Sequence, residues 1–388
     1  MKIAFVRKAF TPYGGAEKYL SQLLERLAGQ GHEVHIFAHR WETGGAERKR
    51  KWEEPKFHRV PLIGAPSFLE ALSFAYFSRR LLQREDFDLI HSFERTLYQD
   101  IYRAGDGCHQ EWLERRKKID SWIKTASHPI NPLHRTLLFL EKRLFQSPKL
   151  KKIVANSRRG KEEIIRHYQV PDEKIEVLYN GVDLEAYHPR NKGLYRETAR
   201  RELGIPPEGF VVLFLGSGFR RKGLDSLMTA FARVQPEIPE SFLLVAGKDR
   251  IGPYRKMARH LGVERQVIFM GPTRRARELY AASDLFALPT LYDPFSNACL
   301  EAMATGLPVL TTLQNGAAEL IVEGKNGFLV REATDSTSLA EKIRTFYRES
   351  DRDAWGEEAR RVSSPFSLEA AVTRLLEIYA DLGGPRHA

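Results

Sequence analysis

Cysteine is scarce in this chain: its 388 residues include only Cys108 and Cys299. Two widely separated cysteines exclude a disulfide-stapled scaffold and a multi-cysteine zinc site, and they fit a reducing compartment. No apolar run approaches the roughly 20 residues that span a bilayer, and no secretory apolar segment follows Met1. We therefore expect a protein that is soluble or lies on a membrane surface.

The composition is otherwise that of a folded protein with a strong positive charge. Hydrophobic residues make up 42% and charged residues 29%, which excludes a disordered tail, and the length favours two domains. Lys and Arg number 61 against 50 Asp and Glu, a formal net charge of +11. The partner should be anionic, which leaves nucleic acid, anionic lipid and a phosphorylated small molecule open.

The apolar pattern predicts α/β structure. A buried strand at Ile3 to Val6, a helical period and a second strand at Val34 to Ala38 form a βαβ unit. Strand-like runs recur, and a second such series begins at Phe210. We expect two parallel-sheet domains at residues 1–185 and 186–365, a linker between about residues 183 and 207, and a last helix at about 366–384 that packs on either domain.

Positive charge is concentrated in residues 111–152. This stretch has 11 Lys and Arg against four Asp and Glu, interleaved with Trp, Leu and Phe. The pattern is typical of a helix that lies in a membrane interface with its cations on lipid phosphates. The alternative is a crossover helix with a solvated face. A nucleic-acid groove ranks last, because no nucleic-acid-binding motif is present.

The segment from Leu288 to Val309 carries the most information. A strand, a loop with Asp293 and a helix starting near Ser296 or Asn297 would leave the backbone N–H groups of Phe295, Ser296 and Asn297 free at a helix N-terminus. Phosphate or an electron-rich sugar edge is stabilised there. Glu301 lies eight residues after Asp293, about 12 Å along a continuous helix, so the two carboxylates could address opposite ends of one ligand. The alternative is a simple cap and a solvated glutamate.

This segment resembles the acidic-x7-Glu signature of retaining family 4 glycosyltransferases. The resemblance implies the GT-B fold, in which two Rossmann-like domains face a central cleft. It also implies that Asp293, where the family usually has Glu, contacts the donor sugar, and that Glu301 holds the nucleotide ribose. The strand at Val267 to Gly271 is similar to the family's nucleobase-side strand, which makes Thr273 a base contact. Within the family, the chain is most similar to the lipopolysaccharide core glucosyltransferase group.

A glycine-rich loop from Gly216 to Gly223 follows the first strand of the second series. Gly218 lets the backbone approach a diphosphate, and Arg221 and Lys222 could neutralise charge on the leaving group. The loop is neither a dinucleotide fingerprint, because Arg221 replaces the third glycine, nor a P-loop, because Gly223 is followed by Leu. The alternative is a solvated basic turn.

Two loops of the first domain are further candidates. Gly14 and Gly15 occupy the first βα turn, where the resemblance implies closure over the donor phosphates; a plain tight turn is the alternative. Asp106 matches the position where the family places a polar residue near the reacting carbon, and His109 is a weaker candidate for proton transfer. An Asp between two glycines is otherwise a turn former.

A metal is not expected, because the histidines lack ligand spacing and Asp86-Phe87-Asp88 precedes a strand, the wrong end for ligands. We expect a metal-independent hexosyltransferase without a cofactor. It would use a nucleotide-diphosphate sugar, with UDP favoured, and a glycan or lipid-linked acceptor such as lipopolysaccharide core. It would be cytoplasmic, on the inner face of the membrane, and would not bind nucleic acid. The alternatives are a sugar-nucleotide epimerase, a phosphorylase or a non-enzymatic binder of anionic surfaces or nucleic acid.

Overall fold

The structure, a computed structural model, describes residues 1–10, 15–41, 55–117 and 119–382. The chain forms two compact units. Unit 1 comprises the described residues up to Gly181 and those from Leu368, and unit 2 is the uninterrupted range Val182–Ser367. The sequence-based division placed the first boundary after residue 185. The prediction of two parallel-sheet domains is confirmed.

Unit 1 alternates strands and helices. Its strands are β1 (Lys2–Val6), β2 (Ala9–Phe10), β3 (Glu33–Ala38), β4 (Arg40–Trp41), β5 (Lys56–Arg59), β6 (Leu89–Ser92), β7 (Ile101–Ala104), β8 (Lys152–Ala155) and β9 (Ile175–Val177). Its first helices are α1 (Gly15–Gly29), α2 (Ser67–Leu82), α3 (His109–Lys117), α4 (Trp122–Ser127), α5 (Pro132–Phe145) and α6 (Arg158–Tyr168), with a 3₁₀ turn at Asp172–Lys174.

Seven of these strands form one parallel sheet in the order β5-β3-β1-β6-β7-β8-β9, and β2 pairs with β4 separately. The central strand β1 is apolar on both faces, and Ile3 to Val6 are almost fully buried. A parallel strand covered by helices on both faces must be a continuous apolar run, which is why the sequence predicted it.

Unit 2 repeats the same plan. Its strands are β10 (Phe210–Leu215), β11 (Ser241–Ala246), β12 (Val267–Gly271), β13 (Leu285–Leu288), β14 (Val309–Thr312) and β15 (Gly327–Val330). Its helices are α7 (Arg190–Glu202), α8 (Leu224–Val234), α9 (Ile251–His260), α10 (Ala276–Ala282), α11 (Asn297–Ala304), α12 (Ser336–Arg348) and α13 (Arg352–Ser363), with a 3₁₀ turn at Gly316–Leu320. The sheet order β12-β11-β10-β13-β14-β15 is that of a doubly wound Rossmann-like sheet.

The final helix, α14 (Leu368–Leu382), belongs to the core of unit 1. Its residues Leu375, Ile378 and Tyr379 are buried with Ile3 and Phe5 of β1. The sequence left open which domain this helix would cover, and its apolar face is buried with the first strand of the chain.

The predicted linker contains a helix. Residues 183–207 show little apolar periodicity, so no helix was predicted there. In the structure, α7 occupies Arg190–Glu202. Polar contacts explain the difference: Arg200 is 2% exposed and donates to the carbonyl of Ala282 at 2.9 Å and to Asp284 Oδ2 at 2.9 Å. Arg196 pairs with the same carboxylate at 2.5 Å. A helix held by arginine contacts rather than by an apolar stripe escapes a search for apolar periodicity.

The basic stretch folds into three helices rather than one. Helices α3, α4 and α5 cover most of residues 111–152, and α5 packs against α2. Three of its four acids, Glu111, Asp120 and Glu141, are buried in ion pairs. The exposed surface of these helices is therefore more basic than the sequence count suggests. No helix among the described residues combines the length and the apolar character needed to cross a membrane.

Candidate active site

Two loops of unit 2 meet where the order of its sheet reverses. The chain runs from β10 outward to β12 and then returns to β13 on the other side of β10. Loops that leave two such neighbouring strands diverge and open a crevice at their carboxyl ends, the usual ligand site of doubly wound sheets. Here these are the glycine-rich loop after β10 and the Asp293 loop after β13, the two segments that the sequence singled out.

The glycine-rich loop requires glycine for steric reasons. Gly218 and Gly223 have φ values of +76° and +78°, in the left-handed region that other residues rarely adopt. A Cβ on Gly223 would lie 1.9 Å from the carbonyl oxygen of Pro289, whereas the nearest atom to a Cβ on Gly218 is 4.0 Å away. Gly223 therefore fixes the loop against the end of β13, and Gly218 presents uncovered backbone.

Lys222 and Asp293 form a buried ion pair between the two loops. The Lys222 ammonium donates to Asp293 Oδ2, and the two residues are 9% and 6% exposed. The backbone of Asp293 is fixed at both ends, because its N–H donates to the carbonyl of Gln314 at 3.0 Å and its carbonyl accepts from the N–H of Gly316 at 2.9 Å. The sequence pattern predicted separate roles for these two side chains, and the fold brings them into contact.

Arg221 ties the same two loops together. Its Nη1 donates to the carbonyl of Tyr292 at 3.0 Å, and its own carbonyl accepts from the N–H of Leu291 at 2.9 Å and from Thr290 Oγ1 at 3.1 Å. The solvated basic turn considered as an alternative for this loop is not what the structure contains, because Lys222 is buried and the Arg221 guanidinium contacts the protein backbone.

The helix N-terminus differs from the prediction in one respect. Helix α11 begins at Asn297, with Ser296 at the cap position and no side-chain cap. The N–H of Ser296 is not free, because it donates to Asn315 Oδ1 at 3.2 Å, and Phe295 and Ser296 are both buried.

Asp293 lies before the helix, so the 12 Å separation that assumed a continuous helix does not apply. Asn315, which also accepts from the N–H of Ala317 at 3.1 Å, was missed because Asn before Gly suggests only a turn.

Glu301 is held by two tyrosines that the sequence did not identify. The hydroxyl of Tyr280 lies 3.1 Å from Glu301 Oε2, and Tyr187 also hydrogen-bonds this carboxylate. Burial, reinforced by the Glu301 charge, raises the pKa of both Tyr187 and Tyr280, so both hydroxyls stay protonated and remain donors. Glu301 is thus a fixed acceptor rather than a solvated helix residue.

The other candidates have local roles in the structure. Thr273 follows β12 and its Oγ1 accepts from the N–H of Arg275 at 3.0 Å. Gly15 is the first residue of α1, and Gly14 lies outside the described residues.

The side chain of Asp106 is 72% exposed in the turn after β7, 3.6 Å from Arg95. Burial lowers the pKa of His109 to about 4, so this histidine, which shares a 3.1 Å hydrogen bond with His134, is neutral at pH 7.

The chain is similar to known proteins over most of its length. The profile described as Glycosyltransferase Family 4 matches residues 13–186, and that described as Glycosyl transferases group 1 matches residues 195–362. Lipopolysaccharide glucosyltransferase WaaG of Escherichia coli K12 is 25% identical over 97% of this chain and 98% of its own. The D-inositol 3-phosphate glycosyltransferase of Corynebacterium efficiens is 31% identical over 95% of this chain and 90% of its own.

Solved structures show the same fold. The crystal structure of WaaG, a glycosyltransferase involved in lipopolysaccharide biosynthesis, has a TM-score of 0.81 at 25% identity and covers 97% of this chain and 99% of that one. The structure of Anabaena HepE in complex with UDP and glucose has a TM-score of 0.73 at 21% identity and covers 98% of this chain and 99% of that one. Both matches extend over the two units.

Proposed function

Because the chain belongs to glycosyltransferase family 4 and has the GT-B fold, we propose that it is a retaining, metal-independent hexosyltransferase. Its donor would be a nucleotide-diphosphate sugar, bound in unit 2 at the carboxyl ends of β10 and β13. Its acceptor would be a glycan or a lipid-linked glycan. The observation that carries this proposal is the buried Lys222–Asp293 pair between the glycine-rich loop and the loop that follows β13.

The pair supplies both charges that such a transfer needs. Cleavage of the bond between sugar and diphosphate leaves negative charge on the phosphate oxygens, which the Lys222 ammonium stabilises. The Asp293 carboxylate accepts hydrogen bonds from sugar hydroxyls. Since each group is already buried and oriented by the other, little reorganisation is needed when the donor replaces their mutual contact. The Lys222 ammonium would therefore stabilise the charge of the diphosphate leaving group, as a divalent metal ion does in metal-dependent enzymes.

The diphosphate would lie on the glycine-rich loop. Gly218 presents backbone without a nearby side chain, and the N-terminus of α11 adds the positive end of a helix dipole. Arg221 adds a second cation. Glu301, one turn into α11 and oriented by Tyr187 and Tyr280, would accept the ribose hydroxyls. The base would lie near Thr273, after β12.

No protein nucleophile is required in this scheme. The acceptor hydroxyl attacks the anomeric carbon on the face that the diphosphate leaves, and the departing oxygen takes up the hydroxyl proton, so the configuration is retained. Asp106, exposed beyond β7, would orient the acceptor or stabilise positive charge on the sugar.

The relatives suggest which substrates to test first. WaaG is named a lipopolysaccharide glucosyltransferase, and HepE, which shares the fold, was solved with UDP and glucose. We therefore choose UDP-glucose as the first donor and lipopolysaccharide core as the first acceptor.

A membrane-borne acceptor would explain the basic helices of unit 1. Around α4 and α5 the side chains of Trp122, Ile130 and Phe139 are 79%, 74% and 48% exposed, close in sequence to the exposed Arg135 and Arg143. Exposed aromatic residues interleaved with cations bind an interface that contains anionic lipid. We infer a cytoplasmic enzyme bound reversibly to the inner face of the membrane.

The donor site can be tested by calorimetry with UDP-glucose, UDP-galactose and GDP-mannose. Only a true donor should bind tightly and raise the melting temperature. Glu301→Gln keeps the shape but loses a charged acceptor, so we expect about 10- to 100-fold weaker donor binding. The control is Glu358→Gln on α13, whose partner is the exposed Arg361. Equal donor affinity in wild type and Glu301→Gln would refute the assignment.

Product analysis separates the remaining functions. A transferase consumes UDP-glucose only with an acceptor and forms an α-linked product from an α-linked donor. Release of an isomerised sugar nucleotide without acceptor would indicate an epimerase. Salt-dependent DNA binding without any response to sugar nucleotides would indicate a non-enzymatic binder.

A further inference from the structure

A second polar site lies in unit 1, around Arg103 near the end of β7. Arg103 is 6% exposed, and its guanidinium carbon lies 4.9 Å from the centre of the Tyr19 ring of α1. Its Nη2 donates to Asn180 Oδ1 at 2.7 Å. Its Nη1 is buried without a hydrogen-bond partner, and no carboxylate of the described residues pairs with it.

The described neighbours of this guanidinium carry no compensating charge. Burial, together with the Arg103 charge, lowers the pKa of His91 well below its ordinary value, so His91 is neutral. Burial raises the pKa of Tyr19 and of Tyr379, so both hydroxyls remain protonated. Asn180 is uncharged. A buried cation without an anion is costly, and contact with one aromatic ring offsets only part of this cost.

Arg103 is the penultimate residue of β7, close to the carboxyl end of this parallel strand. The carboxyl ends of parallel strands are where such sheets bind small molecules. The neighbouring strand β8 is followed by Asn156, which is 1% exposed and whose Oδ1 has no hydrogen-bond partner, while its Nδ2 donates to the carbonyl of Gly105 at 3.2 Å. Asp106, the acceptor-side candidate, lies three residues after Arg103. A cation and an unused acceptor at the same edge of one sheet are the groups that a molecule with an anionic group and hydroxyls requires.

We propose that Arg103 binds an anionic group, a phosphate or a carboxylate, on the acceptor sugar. In the resting protein the Asn180 carboxamide occupies Nη2 as a neutral substitute, and the acceptor's anion displaces it to form a charge-assisted hydrogen bond. Arg103 is then a specificity determinant that favours acidic acceptors over neutral ones. This inference rests on the proposed transferase function.

Calorimetry on the full chain tests the site with three probes: glucose 6-phosphate, glucuronate and glucose. We expect wild type to bind at least one of the acidic sugars at least tenfold more tightly than glucose, and Arg103→Met to lose that preference. Arg103→Lys should retain part of it, because it keeps the charge but not the two-pronged geometry. The matched control is Arg84→Met, which removes an exposed positive charge of unit 1 and should behave like wild type.

Thermal unfolding distinguishes a ligand-binding role from a structural one. Replacing an unpaired buried charge by an apolar side chain of similar length should leave the melting temperature unchanged or raise it. A large fall in melting temperature with the acidic-sugar preference intact would show that Arg103 only braces the fold, and would overturn the inference.

UDP-glucose binding separates this inference from the proposed function. All four proteins should bind the donor equally. If wild type binds UDP-glucose but prefers neither acidic sugar, the Arg103 site is refuted and the transferase proposal stands. If wild type binds no sugar nucleotide at all, the transferase proposal and this inference fail together.

Discussion

Lys222 donates a hydrogen bond to Asp293, which lies 71 residues further along the chain, and both side chains are buried. Each charge therefore depends on the other for its stability in the absence of a donor sugar. Loss of one partner leaves a buried charge uncompensated, which costs more than loss of both. A pair of single and double variants can therefore separate the contribution of this ion pair to stability from its proposed role in catalysis.

Lys222→Ala should lower the free energy of unfolding by about 3–5 kcal/mol and the turnover by about 10²- to 10³-fold. The double variant Lys222→Met/Asp293→Leu should recover most of the stability without recovering activity. Urea denaturation and turnover with UDP-glucose measure the two effects. A double variant as unstable as Lys222→Ala would contradict the burial argument, and an active Lys222→Ala enzyme would contradict the catalytic one.

Gly223→Ala should be much more damaging than Gly218→Ala. Both residues have positive φ, which costs a non-glycine residue of the order of 1–3 kcal/mol, but only at Gly223 does a new Cβ meet the Pro289 carbonyl oxygen at 1.9 Å. We expect Gly218→Ala to fold and to lose donor affinity, because its added methyl group narrows the approach to the backbone. Denaturation midpoints and donor titrations test both variants. Equal destabilisation would show that the contact with Pro289 is not rigid.

His109 should make the protein less stable in mild acid. Its pKa is about 4 in the folded protein, chiefly because it is buried, and about 6.5 in an unfolded chain. Between these values only the unfolded chain binds the proton, so stability falls as the pH drops from 6.5 to 4, by about 3 kcal/mol in all. His109→Gln should reduce the slope of the unfolding free energy against pH between pH 7 and 5, where carboxylates titrate little. His260→Gln, an exposed control on α9, should keep the wild-type slope, and identical slopes in all three proteins would count against the prediction.

The exposed cations of α5 should control membrane binding. The test variant replaces Arg135, Lys142 and Arg143 by Gln. Each replacement should remove about 1 kcal/mol of membrane-binding free energy, so the affinity for vesicles containing phosphatidylserine should fall roughly 100-fold at low salt. Vesicle sedimentation measures the change.

The matched control for this experiment replaces the exposed Arg255, Lys256 and Arg259 of α9 by Gln. It removes the same charge from unit 2 and should leave binding nearly unchanged. If both triple variants lose binding equally, net charge and not the α5 surface attracts the membrane.

Buried parallel strands were the easiest features to predict. Runs such as Phe210 to Leu215 are apolar throughout because helices cover both faces of the sheet. Edge strand β5, with the sequence Lys-Phe-His-Arg, lacks this signal because it is largely exposed. Strand β15 was not predicted, because it is short and begins with Gly327. A Cβ at this position would lie 2.0 Å from the Val309 carbonyl oxygen of the neighbouring strand, so glycine is required there.

The sequence predicted the separate segments of the candidate site, but not which of their residues contact one another. The sequence identified the loops of Lys222 and Asp293 separately, and only the adjacency of β10 and β13 brings them together. The amide of Ser296 was expected to be free because the pattern that predicts a helix start does not reveal a distant acceptor such as Asn315. Contacts across long sequence separations are set by the sheet order, which local patterns do not encode.

Helix α14 affects how the chain can mature during synthesis. Unit 2 is complete once Ser367 has been made, but the core around β1 lacks Leu375 and Tyr379 until α14 has been synthesised as well. The strands of unit 1 are therefore synthesised before unit 2, whereas the core of unit 1 can be completed only after it. A premature stop just before Leu368 would leave the residues of unit 2 complete. It would remove the apolar residues of α14 that cover β1, the strand that begins at Lys2.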